Sequence, residues 1–155
     1  RWPVRSMGGM LLDPDEDLAA LPAFAPHGVV LVGSKEWEGS GAPAIAEVLS
    51  GILGRGVPAG AICGATVGLA RAGLLAGRRH TSNSRDYLDI HAPGYAGRDL
   101  FQASDVAVLD RGIVTAPGSA PASFAAAMLS LVWPESADTI AGFADLMARE
   151  HRAAA

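Results

Sequence analysis

Val57-Pro58-Ala59-Gly60-Ala61-Ile62-Cys63-Gly64-Ala65-Thr66-Val67-Gly68-Leu69-Ala70 is the stretch that decides the fold. An apolar strand-length run leads into a cysteine, and a run of small helix-forming residues leaves it. That order predicts a strand over residues 57–62, an abrupt turn at Cys63 and a helix over 64–75. Ala61, Gly64 and Ala65 are small enough for the tight backbone path of a nucleophile elbow. A helix beginning at Gly64 would aim free N–H groups and a partial positive charge at the sulfur, which favours thiolate. Cys63 is the chain's one cysteine. A buried cysteine is often just a small hydrophobe, but the elbow setting favours a reactive role.

Upstream, Gly28-Val29-Val30-Leu31-Val32 is a continuous β-branched run, which reads as a parallel strand buried on both faces. It ends in Gly33-Ser34, followed by Lys35-Glu36-Trp37-Glu38. This last segment reads either as a solvated loop with a packed Trp or as a pocket rim. Residues 42–54 read as a helix with Pro43 in its first turn and Ile45, Val48, Leu49 and Ile52 on one face. Nearer the start, Met10-Leu11-Leu12 is a short strand and residues 13–17 an acidic turn leading into a short helix.

Downstream, Gly73 threatens to end the helix after Cys63 early. A further strand is expected near His80, then an irregular polar segment over 83–102. Residues 105–109 and 113–115 read as a hairpin joined by Asp110-Arg111-Gly112. Residues 122–132 and 135–152 read as helices, the second with Ile140, Phe143, Leu146 and Met147 on one face. Strands alternating with helices indicate an α/β sheet, mostly parallel and flanked by helices.

Composition narrows function. The chain has 155 residues, half of them apolar, with a formal net charge of −4. It holds no basic block, so nucleic acid is a poor partner. It has no transmembrane-length apolar run, and one cysteine forms no internal disulfide, so a reducing cytoplasm is expected. No Cys-x-x-Cys, His-x-x-x-His, Walker or Gly-x-Gly-x-x-Gly pattern occurs, so no metal and no cofactor is expected. Of the four histidines, His27 and His151 read as solvated. His80 and His91 are the candidates for a base within reach of Cys63.

Ala61-Ile62-Cys63-Gly64-Ala65, Leu69-Ala70, Ala72-Gly73-Leu74-Leu75 and His80-Thr81-Ser82-Asn83 together resemble the DJ-1/PfpI superfamily, of the class I glutamine amidotransferase-like fold. Val30-Leu31-Val32-Gly33-Ser34, residues 113–120 and Ser123-Phe124-Ala125 extend the resemblance in the same order. It implies a flavodoxin-like three-layer sandwich and a homodimer. It places the nucleophile at Cys63 and backbone oxyanion donors at Gly33, Ser34 and Gly64. It also implies an activity: a cysteine-dependent hydrolase, or a metal-free glyoxalase or deglycase, acting on a small reactive aldehyde or acyl compound. The alternatives are a non-enzymatic oxidative-stress sensor or chaperone that works through Cys63 oxidation, and a binding module, which the acidic charge disfavours.

Three departures stand beside the resemblance. The family's first helix carries a Glu against the cysteine, and nothing here occupies that position, so residues 1–155 are expected to be a single domain incomplete at its N-terminus. Gly64 stands where the protease-like branch has His. Residues 116–124 contain neither His nor Glu, which removes the glutaminase triad.

Overall fold

β-Branched and small residues build the central sheet, and the computed structural model describes it within residues 3–152, with side chains through Arg149. A short antiparallel pair, β1 (Val4–Arg5) and β2 (Leu11–Leu12), precedes it. A turn of helix α1 (Leu21–Phe24) then leads into β3 (Val29–Leu31), α2 (Ala46–Gly54) and β4 (Ala59–Ile62). Next come α3 (Ala65–Arg71), α4 (Arg85–His91), the β5 (Val108–Asp110) and β6 (Ile113–Ala116) hairpin, α5 (Pro121–Val132) and α6 (Ala137–Arg152).

The main sheet has the order β3-β4-β6-β5, with β3, β4 and β6 parallel and β5 antiparallel. Arg111 and Gly112 both take positive φ (46° and 76°), which suits the two-residue turn of the β5–β6 hairpin. Because side chains alternate along a strand, each strand feeds two cores. Val29, Leu31 and Ala61 pack with Leu49, Ile52 and Leu69 from α2 and α3. On the other face, Val114 and Ala116 pack with Phe124 and Met128 of α5. Gly60 is glycine because a Cβ there would lie 2.7 Å from the Phe124 ring. Helices therefore cover a mostly parallel sheet, as expected of the three-layer α/β class.

Several local expectations are corrected. The β3 run is not buried on both faces: Val30 is 49% and Val32 71% exposed. Val30 is in register with Gly60, so it shares the α5 face. There α5 covers β4 and β6 but stops short of this edge strand. Helix α2 begins at Ala46, not residue 42, because Ile45 is the first residue of that stretch to enter the core. Helix α3 does end early, and Gly73 sits at φ 72° just beyond it. Residues 83–102 are not all irregular, since α4 runs through them. His80 does not open a strand; it makes an isolated parallel bridge to Phe101. On α6, Ile140 and Phe143 are half-buried, while Leu146 and Met147 remain exposed. Among the described residues, no helix is long and apolar enough to cross a membrane.

Candidate active site

Cys63 follows the last residue of β4 and has φ 58°. Left-handed backbone costs a residue with a Cβ about 1–3 kcal/mol, so the fold must impose it. Three bonds do so. The Cys63 N–H donates to the Ala116 carbonyl of β6 at 3.0 Å. The Cys63 carbonyl accepts from the Thr66 N–H at 3.1 Å and from Thr66 Oγ1 at 2.7 Å. Because that contact uses the Thr66 hydroxyl proton, Ser82 Oγ must be the donor in its 2.7 Å contact with Thr66. Cys63 as a residue is half-buried.

Glycines make room for it. A Cβ on Gly33 would fall 2.9 Å from Cys63 Cβ, and one on Gly118 would fall 2.9 Å from Cys63 Sγ. Asn83 closes the third side: its Nδ2 donates toward Sγ at 3.5 Å, and its Oδ1 accepts the Gly118 N–H at 2.9 Å. A Cβ on Gly64 would fall on the Ser34 carbonyl oxygen and 3.3 Å from the Tyr87 hydroxyl. Position 64 therefore has no space for the histidine of the protease-like branch. Among the described residues, no hydrogen bond engages the amide N–H of Ser34 or Gly64. The structure thus gathers Cys63, Gly33, Ser34 and Gly64 at one point.

The two candidate histidines lie elsewhere. His80 is fully buried. Its Nδ1 lies 2.8 Å from the Arg78 carbonyl, which only accepts, so Nδ1 carries the proton and Nε2 accepts from the Tyr95 hydroxyl at 3.0 Å. Its ring packs edgewise on Tyr95 and Phe101. Burial pushes its pKa below the ordinary histidine value. Both nitrogens are therefore committed away from the thiol. His91 lies against the Tyr87 ring with centroids 4.7 Å apart, and its carbonyl accepts from Arg71 Nε at 2.8 Å. Neither histidine bonds to the sulfur; among the described residues that bond comes from Asn83. His27 is exposed, and the His151 side chain lies outside the described residues.

Sequence reasoning did not single out Tyr87 or Arg71, and it placed Asn83 only within a family motif and Glu38 only within the segment after β3. Trp37 anchors the segment after β3: its Nε1 donates to the Val32 carbonyl at 2.9 Å, and its ring lies where a side chain on Gly68 would go. Glu38 then turns inward and accepts from the Tyr87 hydroxyl at 2.8 Å. Of the two readings of the 35–38 segment, the packed Trp is seen, in a turn of 3-10 helix rather than a loop; none of the four residues lines a cavity among the described residues. The Tyr87 pKa is pushed far above the ordinary phenol range, first by burial, then by the hydrogen bond and charge of Glu38, and least by the charge of Cys63. Arg71 ties the assembly down, donating to the carbonyls of Glu38 at 2.9 Å and Gly39 at 2.7 Å. The signals that could have found these residues are the Ser84 cap of α4 and the motif Thr81-Ser82-Asn83.

Asn83, Pro117 and Ser119 form a wall of a cleft of about 550 Å³ that also takes in Arg85 and Asp86; Cys63 does not line it, and Asn83 is the residue that both lines it and bonds the sulfur. A separate hollow of about 430 Å³, lined in part by Arg71, His91 and Tyr95, does not include Cys63. Among the described residues, no three His, Cys, Asp or Glu side chains converge into a group that could hold a metal ion.

The sequence profile of the DJ-1/PfpI family matches residues 1–131. The Bacillus subtilis protein named uncharacterized protease YoaZ is 34% identical over 137 residues, spanning 88% of this chain and 65% of its own length. A second from that organism, uncharacterized protease YdeA, is 31% identical over 129 residues, or 83% of this chain and 64% of its own length. The chain thus spans just under two thirds of these curated relatives. The crystal structure of the DJ-1 superfamily protein Atu0886 from Agrobacterium tumefaciens superposes with a TM-score of 0.82 at 32% identity, covering 96% of this chain and 78% of that one. Oxidized Toxoplasma gondii DJ-1, at 20% identity and a TM-score of 0.68 over 90% of this chain and 75% of that one, shares the fold. On this profile match, these relatives and the sheet built around Cys63, the chain belongs to the DJ-1/PfpI family.

Proposed function

We propose that the protein is a cysteine-nucleophile hydrolase acting on a small acyl or aldehyde compound. One observation carries the reading. Cys63 is held at φ 58°, with its sulfur between Gly33 and Gly118 and the uncommitted amides of Ser34 and Gly64 alongside. In the proposed reaction the sulfur attacks a carbonyl carbon, and the electron pair displaced onto oxygen is met by those two N–H groups. Asn83 Nδ2 steadies the sulfur before attack. The cleft beside Asn83 takes the rest of the substrate. The two relatives named as proteases support a hydrolytic direction. A glyoxalase-type reaction would use the same attack on an aldehyde carbon.

Turnover of p-nitrophenyl acetate and of methylglyoxal by the wild type and Cys63→Ala tests the proposal. Loss of both activities with an unchanged melting temperature is expected. Undiminished turnover in Cys63→Ala overturns it. Cys63, half-buried rather than sealed in the core, also supports a second reading, a sensor oxidised by peroxide. Under that reading Cys63 gains oxygen on mild peroxide treatment while neither substrate is consumed.

A further inference from the structure

We propose that Tyr87 and Glu38 form the proton relay that activates the hydrolytic water, with Tyr87 touching the water and Glu38 acting through Tyr87. The inference rests on Cys63 forming an acyl-enzyme as proposed above. A thioester at Cys63 needs a base to deprotonate water, and neither His80 nor His91 bonds at the sulfur. A Cβ at position 64 would overlap the Ser34 carbonyl oxygen and come 3.3 Å from the Tyr87 hydroxyl, which places that hydroxyl beside Gly64. The phenol proton points at Glu38 Oε1, 2.8 Å away. The lone pairs of the Tyr87 oxygen are thereby left for a donor next to Gly64, the residue whose amide would hold the oxyanion.

The dyad is built rather than incidental. Glu38 and Gly39 are pinned by Arg71 through their carbonyls, and the Tyr87 ring is backed by His91. Burial and the neighbouring carboxylate keep Tyr87 protonated, so it hands its proton on only as it receives another.

In deacylation the water oxygen forms a bond to the thioester carbon, and the carbonyl pair moves to oxygen. The water proton passes to the Tyr87 oxygen while the Tyr87 proton passes to the Glu38 carboxylate. Collapse of the tetrahedral species breaks the C–S bond, expels Cys63 as thiolate and leaves the carboxylic acid. The acid departs as carboxylate, and Glu38 returns its proton to solvent.

The test is p-nitrophenyl acetate hydrolysis by wild type, Tyr87→Phe and Glu38→Gln, followed by stopped flow and by intact mass after acid quench. Both variants are expected to keep a burst near one equivalent, to lose about 10²–10³-fold in steady-state rate as general-base catalysis does, and to accumulate acetyl-Cys63. Hydroxylamine, which attacks a thioester without a base, should release the acetyl group from both variants and so identify the accumulated species as a thioester; a merely distorted site would lose the burst as well. Wild-type steady-state rates in both variants, or a loss of burst and steady state together without acetyl-Cys63, overturn the relay. If Tyr87→Phe fails to fold, the near-isosteric Glu38→Gln decides on its own. Absence of acetyl-Cys63 from every protein, or full turnover by Cys63→Ala, instead sinks the nucleophile reading on which the relay rests.

Discussion

Cys63, Gly64 and Asn83 carry the proposed chemistry residue by residue. Cys63 was legible in the sequence because an apolar run before it and a small-residue run after it mark a strand-to-helix elbow. Glu38 and Tyr87 were not, because they lie 49 positions apart and only the folded chain joins them. Gly64 has a checkable consequence. A methyl at this position meets a backbone carbonyl and the Tyr87 hydroxyl, so Gly64→Ala should cut esterase turnover at least tenfold through displacement of the Ser34 strip. Equal kcat/KM in wild type and variant would show that the Ser34–Gly64 contact is immaterial. Asn83→Ala removes one hydrogen bond to the sulfur and one from Gly118. A net value of about 1 kcal/mol per bond gives an expected drop of about 5–30-fold in acylation rate, readable as burst rate.

At the scale of elements, β4, β6, α5 and the elbow were readable from periodicity, whereas α4 and the outer face of β3 were not. Helix α4 is only seven residues long and has no apolar stripe, so periodicity passes over it. The signal that marks it is a cap: Ser84 Oγ accepts the Tyr87 N–H at 3.0 Å, with Asp86 in the first turn. Ser84→Ala should cost about 1 kcal/mol of stability, measured as a shift in urea midpoint at constant slope. It should also loosen Tyr87 enough to lower turnover. Leu88, the buried residue of α4, anchors it more strongly, and Leu88→Ala should cost about 2–5 kcal/mol. For β3, a run of β-branched residues states that a strand is present but not which neighbours cover it. That depends on the reach of α5, which lies about a hundred residues further on.

For the whole molecule, a buried neutral histidine ties stability to pH. The folded-state pKa of His80 lies below the ordinary 6.5. Between those two values the unfolded chain binds a proton that the folded chain does not, so stability rises with pH there and declines as pH falls below about 6.5. Urea midpoints at pH 7.5 and 5.5 should fall more in wild type than in His80→Gln, and equal falls would remove His80 as the cause. The three-layer plan itself was legible because strands and helices alternate along the chain. The position of the candidate site was legible only in part: the plan fixes where β4 ends, while the Asn83 and Glu38–Tyr87 flanks come from loops and a short helix packed by tertiary contacts. The central claim, that folding activates the thiol of Cys63, is open to direct measurement because no second cysteine competes. The rate of single-site alkylation by iodoacetamide should be compared at one pH for the native protein and for the same chain unfolded in urea. The account predicts faster labelling in the native state; labelling that is slower in the native state than in the unfolded chain would contradict it.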